Sequence, residues 1–241
     1  MKKRAVVTGV GHYLPNRIVH NSEVEKTLNT SDEWIVTRSG IRQRHFSNKD
    51  ETTSKMAIMA GQQAIKNANL EASDIDAIIL ATSTADFTFP SAATMVQAGL
   101  GMKSGFAYDI QAVCAGFIYA MSTANAQIIS GQANRILVIG SETFSNLMDW
   151  NDRSTCVLFG DGAGAVVLEA YSCSGDKEDR GILSVDLNSD GNFKGGKGDG
   201  GDHARQGRVP GVQRVPGHAR QGHGRDHTHG DRQRHLREGD G

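Results

Sequence analysis

The candidate nucleophiles in this 241-residue chain are three cysteines, Cys114, Cys156 and Cys173. None lies in a Cys-x-x-Cys pair, so we expect neither a structural zinc site nor a disulfide framework. Single cysteines of this kind are either buried space fillers or reactive thiols. Cys114 stands apart because a strand pattern ends just before it and a helix pattern begins just after it.

A thiol at the start of a helix faces unpaired backbone N–H groups and the positive end of the helix dipole, and both favour the thiolate. A thiolate is what an acyl-accepting nucleophile requires. A small buried cysteine also suits such a crowded turn, so the local pattern alone leaves both interpretations open for Cys114. Cys156 and Cys173 are predicted to be inert.

Short β-branched runs alternate with helical patterns through residues 1–194, which predicts an α/β domain. The predicted strands are Arg4–Thr8, Asp76–Thr82, Phe106–Ile110, Arg135–Gly140, Ala165–Glu169 and Gly181–Ser189. The predicted helices are a short one opened by a Ser22–Glu25 capping box, Glu33–Arg38 stopped by Gly40, Thr53–Asn69 with a stripe of small residues, one from Pro90 in its first turn to Leu100, and one from Cys114 to Ser130.

Residues 160–164 form a glycine-rich run, Gly-Asp-Gly-Ala-Gly, that could suggest a phosphate cradle. The run lacks the spacing of a phosphate-binding loop and precedes a strand pattern, not a helix pattern. We therefore predict a structural tight turn there.

Residues 195–241 differ in composition from the rest of the chain. They hold 13 of the 29 glycines and 6 of the 9 histidines but only six apolar residues, so we expect a disordered tail. The tail has 9 basic and 6 acidic groups and no aromatic residue, which makes it a poor nucleic-acid ligand. A selected tail that binds nucleic acid, or zinc through its histidines, remains the alternative.

Membrane and secreted classes are disfavoured by the same sequence. No apolar run approaches the ~20 residues of a membrane span. The start, Met1-Lys2-Lys3-Arg4, is not followed by the long apolar stretch of a signal peptide. We expect a cytoplasmic protein with no membrane partner.

Four spaced segments together resemble β-ketoacyl-acyl-carrier-protein synthase III, the condensing enzyme that begins bacterial type II fatty-acid synthesis. They are Thr30–Arg42, Phe89–Ala93, Asp109–Phe117 and Phe159–Ala165, and the likeness covers residues 1–194. The resemblance implies a thiolase-like layered αβαβα fold of two similar halves, with the N-terminal half present here and the C-terminal half largely missing. It also implies a homodimer that needs no cofactor or metal.

The resemblance implies that Cys114 takes an acetyl group from acetyl-CoA and that malonyl-acyl-carrier protein then loses carbon dioxide and attacks the thioester, giving acetoacetyl-acyl-carrier protein. Trp34, Arg38, Arg153 and Thr30 match positions that contact CoA, and Phe89 matches a residue of the acyl pocket. Structural alternatives stay open for several of these residues. Trp34 could be a helix-packing aromatic, Arg38 a solvated charge, Thr30 a helix N-cap and Phe89 an ordinary core residue.

The family's catalytic histidine and asparagine segments do not occur in this sequence, and the likeness stops after Lys194. Our hypothesis is that a frameshift replaced the second half, which resequencing the locus would decide. A chain made as written is expected to be impaired or inactive. The alternatives are a thiolase-fold synthase or acyltransferase with another acyl-CoA starter, and a non-catalytic fragment.

Overall fold

The structure is a computed structural model that describes residues 2–176 and 178–189. These residues lie in the first of the two units into which the chain divides, Met1–Asp202 and His203–Gly241. Five strands form one mixed sheet: β1 (Lys2–Tyr13), β4 (Ala77–Ala81), β5 (Phe106–Ile110), β6 (Arg135–Thr143) and β7 (Asp161–Cys173). Their order in the sheet is β1-β7-β6-β4-β5. Two more strands, β2 (Arg17–His20) and β3 (Gln43–Phe46), form a separate hairpin.

The helices are α1 (Asn21–Val24), α2 (Asp32–Ser39), α3 (Thr53–Asn67), α4 (Ala92–Gly99) and α5 (Gly116–Ser130). Short 3-10 turns cover Ala72–Asp74, Val113–Ala115 and Phe144–Asn146. β4 pairs in parallel with both β5 and β6, so the carboxyl ends of these three strands meet at one edge of the sheet. None of the described helices is long and apolar enough to cross a membrane.

Helices cover both faces of the sheet, because alternate residues of each strand point to opposite sides. On β4, Ile78 and Leu80 join the core beneath α3 and α4, and Ile79 joins the core beneath α5. All three side chains are fully buried. The nearly continuous apolar run of β4 is therefore that of a strand covered on both faces.

The small residues of α3 allow it to lie unusually close to β1. A Cβ placed on Gly11 would lie 2.1 Å from the carbonyl oxygen of Ala60, and one on Gly9 would lie 2.1 Å from that of Ala64. Both distances are far inside van der Waals contact, so glycine is required on the strand at these points. The stripe of alanines on α3 supplies the other side of this contact.

A second, smaller packing unit lies beside the sheet, and we call it the hairpin module (residues 14–46 and 144–160). It contains β2, β3, α1, α2 and the segment between β6 and β7. Its apolar core is separate from the two cores of the sheet and comprises Val19, Val24, Ile35, Phe46, Cys156 and Val157.

Most predicted elements are confirmed, including β5 at its predicted bounds and α2 ended by Gly40 in a left-handed conformation (φ 73°). α5 likewise ends at Gly131 with φ 78°. β1 and β6 extend further than their sequence patterns indicated, because each pairs along its length with β7.

Two predicted helix starts are wrong in detail. The first helix begins at Asn21 after His20, so Ser22 is not its N-cap, and no side chain caps it. The Glu25 carboxylate instead accepts a hydrogen bond from the backbone N–H of Asp32. Pro90 precedes the N-cap Ser91 of α4 and is therefore outside the first turn.

Two predictions near the end of the described residues are also wrong. The glycine run at 160–164 is not a tight turn, because β7 starts at Asp161 and includes Gly162 and Gly164. The segment 181–189 is not a strand. Within it, the backbone N–H of Ile182 donates a hydrogen bond to the carbonyl oxygen of Ala5. The predicted disordered tail, 195–241, lies outside the described residues.

Candidate active site

Cys114 lies in the short link between β5 and α5. The strand ends at Ile110, Cys114 is the middle residue of the 3-10 turn Val113–Ala115, and α5 begins at Gly116. The Cys114 side chain belongs to an exposed residue and its thiol is free. Val113 has a φ of 47°, a left-handed conformation that a β-branched residue rarely adopts. The link is thus held in a sharp turn that presents the thiol to solvent beside a helix N-terminus.

Close packing beneath this turn explains its glycine. Gly116 is buried, and a Cβ placed on it would lie 3.3 Å from the Cβ of Ala81 at the end of β4. Phe117 packs over Gly140 of β6, where an added Cβ would lie 3.3 Å from the ring. The first residues of α5 are therefore seated directly on the carboxyl ends of the parallel strands.

Asp109 connects the strand that precedes Cys114 to the start of α4. Its two carboxylate oxygens accept hydrogen bonds from the backbone N–H groups of Ala92 (2.8 Å) and Ala93 (2.7 Å). A carboxylate at a helix N-terminus satisfies two orphan donors and complements the helix dipole. This contact explains why Asp109–Phe117 and Phe89–Ala93 occur as motifs in one chain, since they form a single unit.

A second carboxylate occupies the same edge of the sheet. Glu142, at the end of β6, accepts hydrogen bonds from the hydroxyl of Thr84 (2.5 Å) and the backbone N–H of Ser83 (2.8 Å), with a longer contact to the hydroxyl of Thr82 (3.4 Å). Burial raises the pKa of the Glu142 carboxyl, and these hydrogen bonds oppose that rise. Glu142 therefore fixes the loop that follows β4 to the end of β6.

The predicted CoA-contact residues gather on the hairpin module. The Arg38 guanidinium lies 4.4 Å from the centre of the Trp34 ring and that of Arg153 lies 5.4 Å from it, although Arg153 is 115 or more residues away in sequence from both. Arg153 also donates to the backbone carbonyl of Asn29 (2.6 Å). Two exposed cations around one aromatic plate form a surface suited to a nucleotide with phosphates.

Thr30 and Phe89 do not take the structural roles that were their alternatives. The N-cap of α2 is Ser31, whose hydroxyl accepts from the N–H of Trp34, so Thr30 is not the cap. The Thr30 hydroxyl is buried without a hydrogen-bond partner. Phe89 is 83% exposed and is therefore not a core residue. Trp34 does pack partly against the core of the hairpin module, so its packing role holds alongside any role in binding.

The other two cysteines are enclosed to different degrees. Cys156 is 2% exposed in the core of the hairpin module, and burial, followed by the charge of Asp152, raises the pKa of its thiol. Cys173 is half-buried at the end of β7. No group of three or more histidine, cysteine or acidic side chains that could hold a metal ion occurs within the described ranges.

The comparisons with known proteins point to one enzyme family. The profile of 3-oxoacyl-[acyl-carrier-protein (ACP)] synthase III matches residues 108–191, which include Cys114 and β7. The chain is 68% identical, over 194 residues, to the β-ketoacyl-[acyl-carrier-protein] synthase III of Ruegeria sp. (strain TM1040), and the match covers 80% of this chain and 60% of that protein. Over 194 of its residues, the chain is therefore similar to the synthase III family.

Solved structures show the same fold. The 3-oxoacyl-(acyl carrier protein) synthase III of Pseudomonas aeruginosa PAO1 is 43% identical with a TM-score of 0.72, over 78% of this chain and 58% of that chain. The priming β-ketosynthase of the R1128 polyketide pathway is 36% identical with a TM-score of 0.69, over 70% of this chain and 51% of that one. The described residues have the α/β thiolase-like fold of these synthases. The chain spans about 60% of the length of the curated relatives it matches.

Sequence reasoning missed several residues that build this site. Asp109 and Asp161 stood inside recognised motifs but were given no role, and Glu142 was not singled out. Each makes its contacts to residues distant in sequence, up to 114 positions away for Asp161. The available signal was the acid itself, since Asp109 and Glu142 each end a strand of apolar residues where a charge needs partners.

Proposed function

We propose that this chain forms the acyl-accepting part of an initiating condensing enzyme of type II fatty-acid synthesis, with Cys114 as the nucleophile and acetyl-CoA as the acyl donor. The observation that carries the proposal is the exposed Cys114 thiol on a strained turn between β5 and the N-terminus of a 15-residue helix. An enzyme nucleophile needs both access to its substrate and an environment that favours its anion.

In the first step, the Sγ atom of Cys114 bonds to the carbonyl carbon of the acetyl group while the bond from that carbon to the CoA sulfur breaks. The proton of the Cys114 thiol ends on CoA. The tetrahedral intermediate carries a negative oxygen that needs hydrogen-bond donors. The backbone N–H of Cys114 is the donor that we assign to it.

In the second step, malonyl-acyl-carrier protein loses carbon dioxide, and the electron pair left on its carbon forms the new bond to the acetyl carbon. The bond from the acetyl carbonyl carbon to Sγ of Cys114 breaks, and acetoacetyl-acyl-carrier protein is released. The family's histidine and asparagine segments for this step do not occur in the 241-residue sequence.

The CoA nucleotide is assigned to the surface around Trp34. Its ring would stack against adenine, and the Arg38 and Arg153 guanidinium groups would neutralise the phosphates. Thr30 lies next to the N-cap of α2, and its buried hydroxyl has no hydrogen-bond partner among the described residues, so a ligand could use it only if the local side chains moved. These chemistries are complementary to the one substrate that carries the acetyl group, and no other cofactor or metal is needed for the step.

A homodimer is part of the proposal. Phe89 is 83% exposed and Phe87 is 59% exposed on the loop before α4, and β5 is an edge strand of the sheet. Exposed aromatic rings beside an unpaired strand edge are typical of surfaces that a partner covers. We assign Phe89 to an acyl pocket at this interface, the acyl carrier protein as the second substrate, and the cytoplasm as the location.

The test is direct acylation of the 241-residue polypeptide by labelled acetyl-CoA, read by intact mass and peptide mapping. The expected result is one acetyl group on Cys114, lost in Cys114→Ala and retained in the matched control Cys173→Ser. Adding malonyl-acyl-carrier protein tests the second step. A stable wild-type chain that takes no label, or takes it equally in Cys114→Ala, would disprove the proposal.

The second candidate function keeps the nucleophile and changes the starter. The likeness to the R1128 priming β-ketosynthase, at 36% identity over 70% of the chain, favours it. A series of acyl-CoA donors of increasing length, compared by the rate of Cys114 acylation, distinguishes the two. Faster acylation by a longer chain than by acetyl would favour this second function.

A further inference from the structure

Four chain crossings join the hairpin module to the sheet. They lie between residues 13 and 14, 46 and 47, 143 and 144, and 160 and 161, and follow from the ends of β1, β3, β6 and the start of β7. The module has its own apolar core, distinct from the two that flank the sheet. Its orientation relative to the sheet therefore depends strongly on what happens at these crossings.

One buried carboxylate, that of Asp161, connects three of the four crossings. Asp161 is 5% exposed and is itself the first residue of β7. It accepts hydrogen bonds from the backbone N–H and the hydroxyl of Ser47, both at 2.8 Å, just after β3. It also accepts from the backbone N–H (2.8 Å) and the hydroxyl (2.5 Å) of Ser145, just after β6.

Three of these donors share Oδ2 of Asp161 and the fourth, the backbone N–H of Ser145, contacts Oδ1, so both carboxylate oxygens accept hydrogen bonds. Within residues 2–176 and 178–189, no basic side chain forms an ion pair with Asp161. Among the described residues, the groups that contact the carboxylate are N–H and O–H donors. A buried carboxylate without a cation is costly unless every such bond is made, so the geometry at this point is tightly specified.

The fourth crossing lies against the same short segment. Tyr13, the last residue of β1, pairs with Ala163, and a Cβ on Gly162 would lie 3.3 Å from the carbonyl oxygen of Tyr13. All four crossings therefore converge on residues 161–163. The glycine-rich run that could have suggested a phosphate cradle is where the module is anchored to the sheet.

We propose that Asp161 is a positioning residue that sets the hairpin module, and with it Trp34 and Arg153, relative to Cys114. Asp161 touches neither substrate nor thiol; it acts through the two serines. The proposal rests on the proposed function for its ligand, because the module would hold the nucleotide of an acyl-CoA whose thioester must reach Cys114. A loosened hairpin module would misplace only those acyl donors that are bound through their nucleotide.

The test compares two acetyl donors on the full chain: acetyl-CoA, and acetyl-N-acetylcysteamine, which has the thioester but no nucleotide. In Asp161→Asn an amide group replaces one acceptor oxygen, so one of the backbone donors, Ser47 or Ser145, loses its partner. We expect the rate of Cys114 acetylation by acetyl-CoA to fall about tenfold to a hundredfold, with the rate from the short donor nearly unchanged.

Asp76→Asn is the matched control. Asp76 accepts from the backbone N–H groups of Asn134 (2.7 Å) and Arg135 (3.0 Å) next to the amino ends of β4 and β6, at the opposite end of the strands. Its loss should lower stability without changing the ratio of the two rates. A ratio unchanged in Asp161→Asn, or changed equally in both variants, would overturn the positioning role.

Hydrogen exchange tests the positioning role of Asp161 without acylation. In Asp161→Asn, backbone amides of residues 17–46 and 144–160 should exchange about tenfold faster while those of β4 and β6 keep their protection. If the wild-type chain accepts acetyl from neither donor, the proposed function fails, and hydrogen exchange still tests whether Asp161 positions the hairpin module. Uniform loss of protection through the sheet, or none in the module, would refute it.

Discussion

Replacing Asp109 by asparagine should destabilise the fold more than removing the N-cap residue of α4 itself. Asp109 supplies two short hydrogen bonds, to the N–H groups of Ala92 and Ala93, from a strand on the other side of a loop. The Ser91 hydroxyl makes two long contacts, both of 3.4 Å: it accepts from the backbone N–H of Thr94 and donates to the Thr94 hydroxyl. The helix start is therefore held mainly by the carboxylate.

The magnitude follows from these contacts. An asparagine at position 109 keeps one acceptor oxygen and turns an amide group toward the second N–H, so one charge-assisted bond is lost and one half-buried donor is left unpaired. We expect a loss of about 2–4 kcal/mol in the free energy of unfolding. Ser91→Ala removes a weak cap, so its expected cost is only about 0.5 kcal/mol.

The assay is urea unfolding of the two variants and the wild type, followed by far-ultraviolet circular dichroism at neutral pH and constant ionic strength. The slope of the free energy with urea should be the same for all three, so the midpoints report stability. A cost for Ser91→Ala equal to or larger than that for Asp109→Asn would refute the assignment of the carboxylate as the main cap.

Three further expectations follow from the geometry. Because burial raises the pKa of Glu142, the native chain holds that proton more tightly than the unfolded chain. The native chain therefore loses stability as pH rises from the ordinary glutamate range through the raised pKa. In urea unfolding from pH 4 to 8, the stability of Glu142→Gln should increase relative to that of the wild type as pH rises, and a constant difference would contradict this. Gly11→Ala should cost about 2–3 kcal/mol in the same assay because its Cβ would meet a carbonyl of α3, whereas Gly164→Ala, with nothing within 4 Å of its Cβ, should cost much less. A thiol reagent should modify Cys114 in the native chain but Cys156 only after unfolding, and equal native rates would show that Cys156 is not enclosed.

Elements whose residues alternate or repeat with one clear period could be predicted closely from sequence. β5 and the end of α5 at Gly131 follow local rules, since a strand pattern and a left-handed glycine each need no knowledge of distant residues. The glycines of β7 could not be read in this way. β7 lies between β1 and β6, and pairing on both sides holds Gly162 and Gly164 in a strand despite their poor propensity.

The segment 181–189 shows the opposite failure. Leu183, Val185 and Leu187 alternate with other residues as in a strand, and all three are at least 42% exposed. A strand needs a continuous ladder of backbone hydrogen bonds, and Ile182 supplies a contact at only one end, to Ala5. The alternation is real, but no neighbouring strand pairs with it among the described residues.

The residues that build the candidate site divide by the range of their contacts. The place of Cys114 between a strand end and a helix start could be predicted from sequence, because that environment is local. The carboxylates at positions 109, 142 and 161 could not be given roles in the same way, because each holds a segment from elsewhere in the chain. Their partners are defined only once the parallel strands bring three carboxyl ends together and the hairpin module docks beside them.

This division also explains how one sheet edge can serve two tasks. Cys114 needs a rigid turn, which Asp109 and the seat of Gly116 provide from within the sheet. The proposed recognition of a long acyl donor needs a surface at a fixed distance from that turn, and we assign that surface to the hairpin module, which has a core of its own. Asp161 joins the sheet and the hairpin module through hydrogen bonds. We therefore expect changes in the core of the hairpin module to alter nucleotide recognition before they alter the reactivity of Cys114.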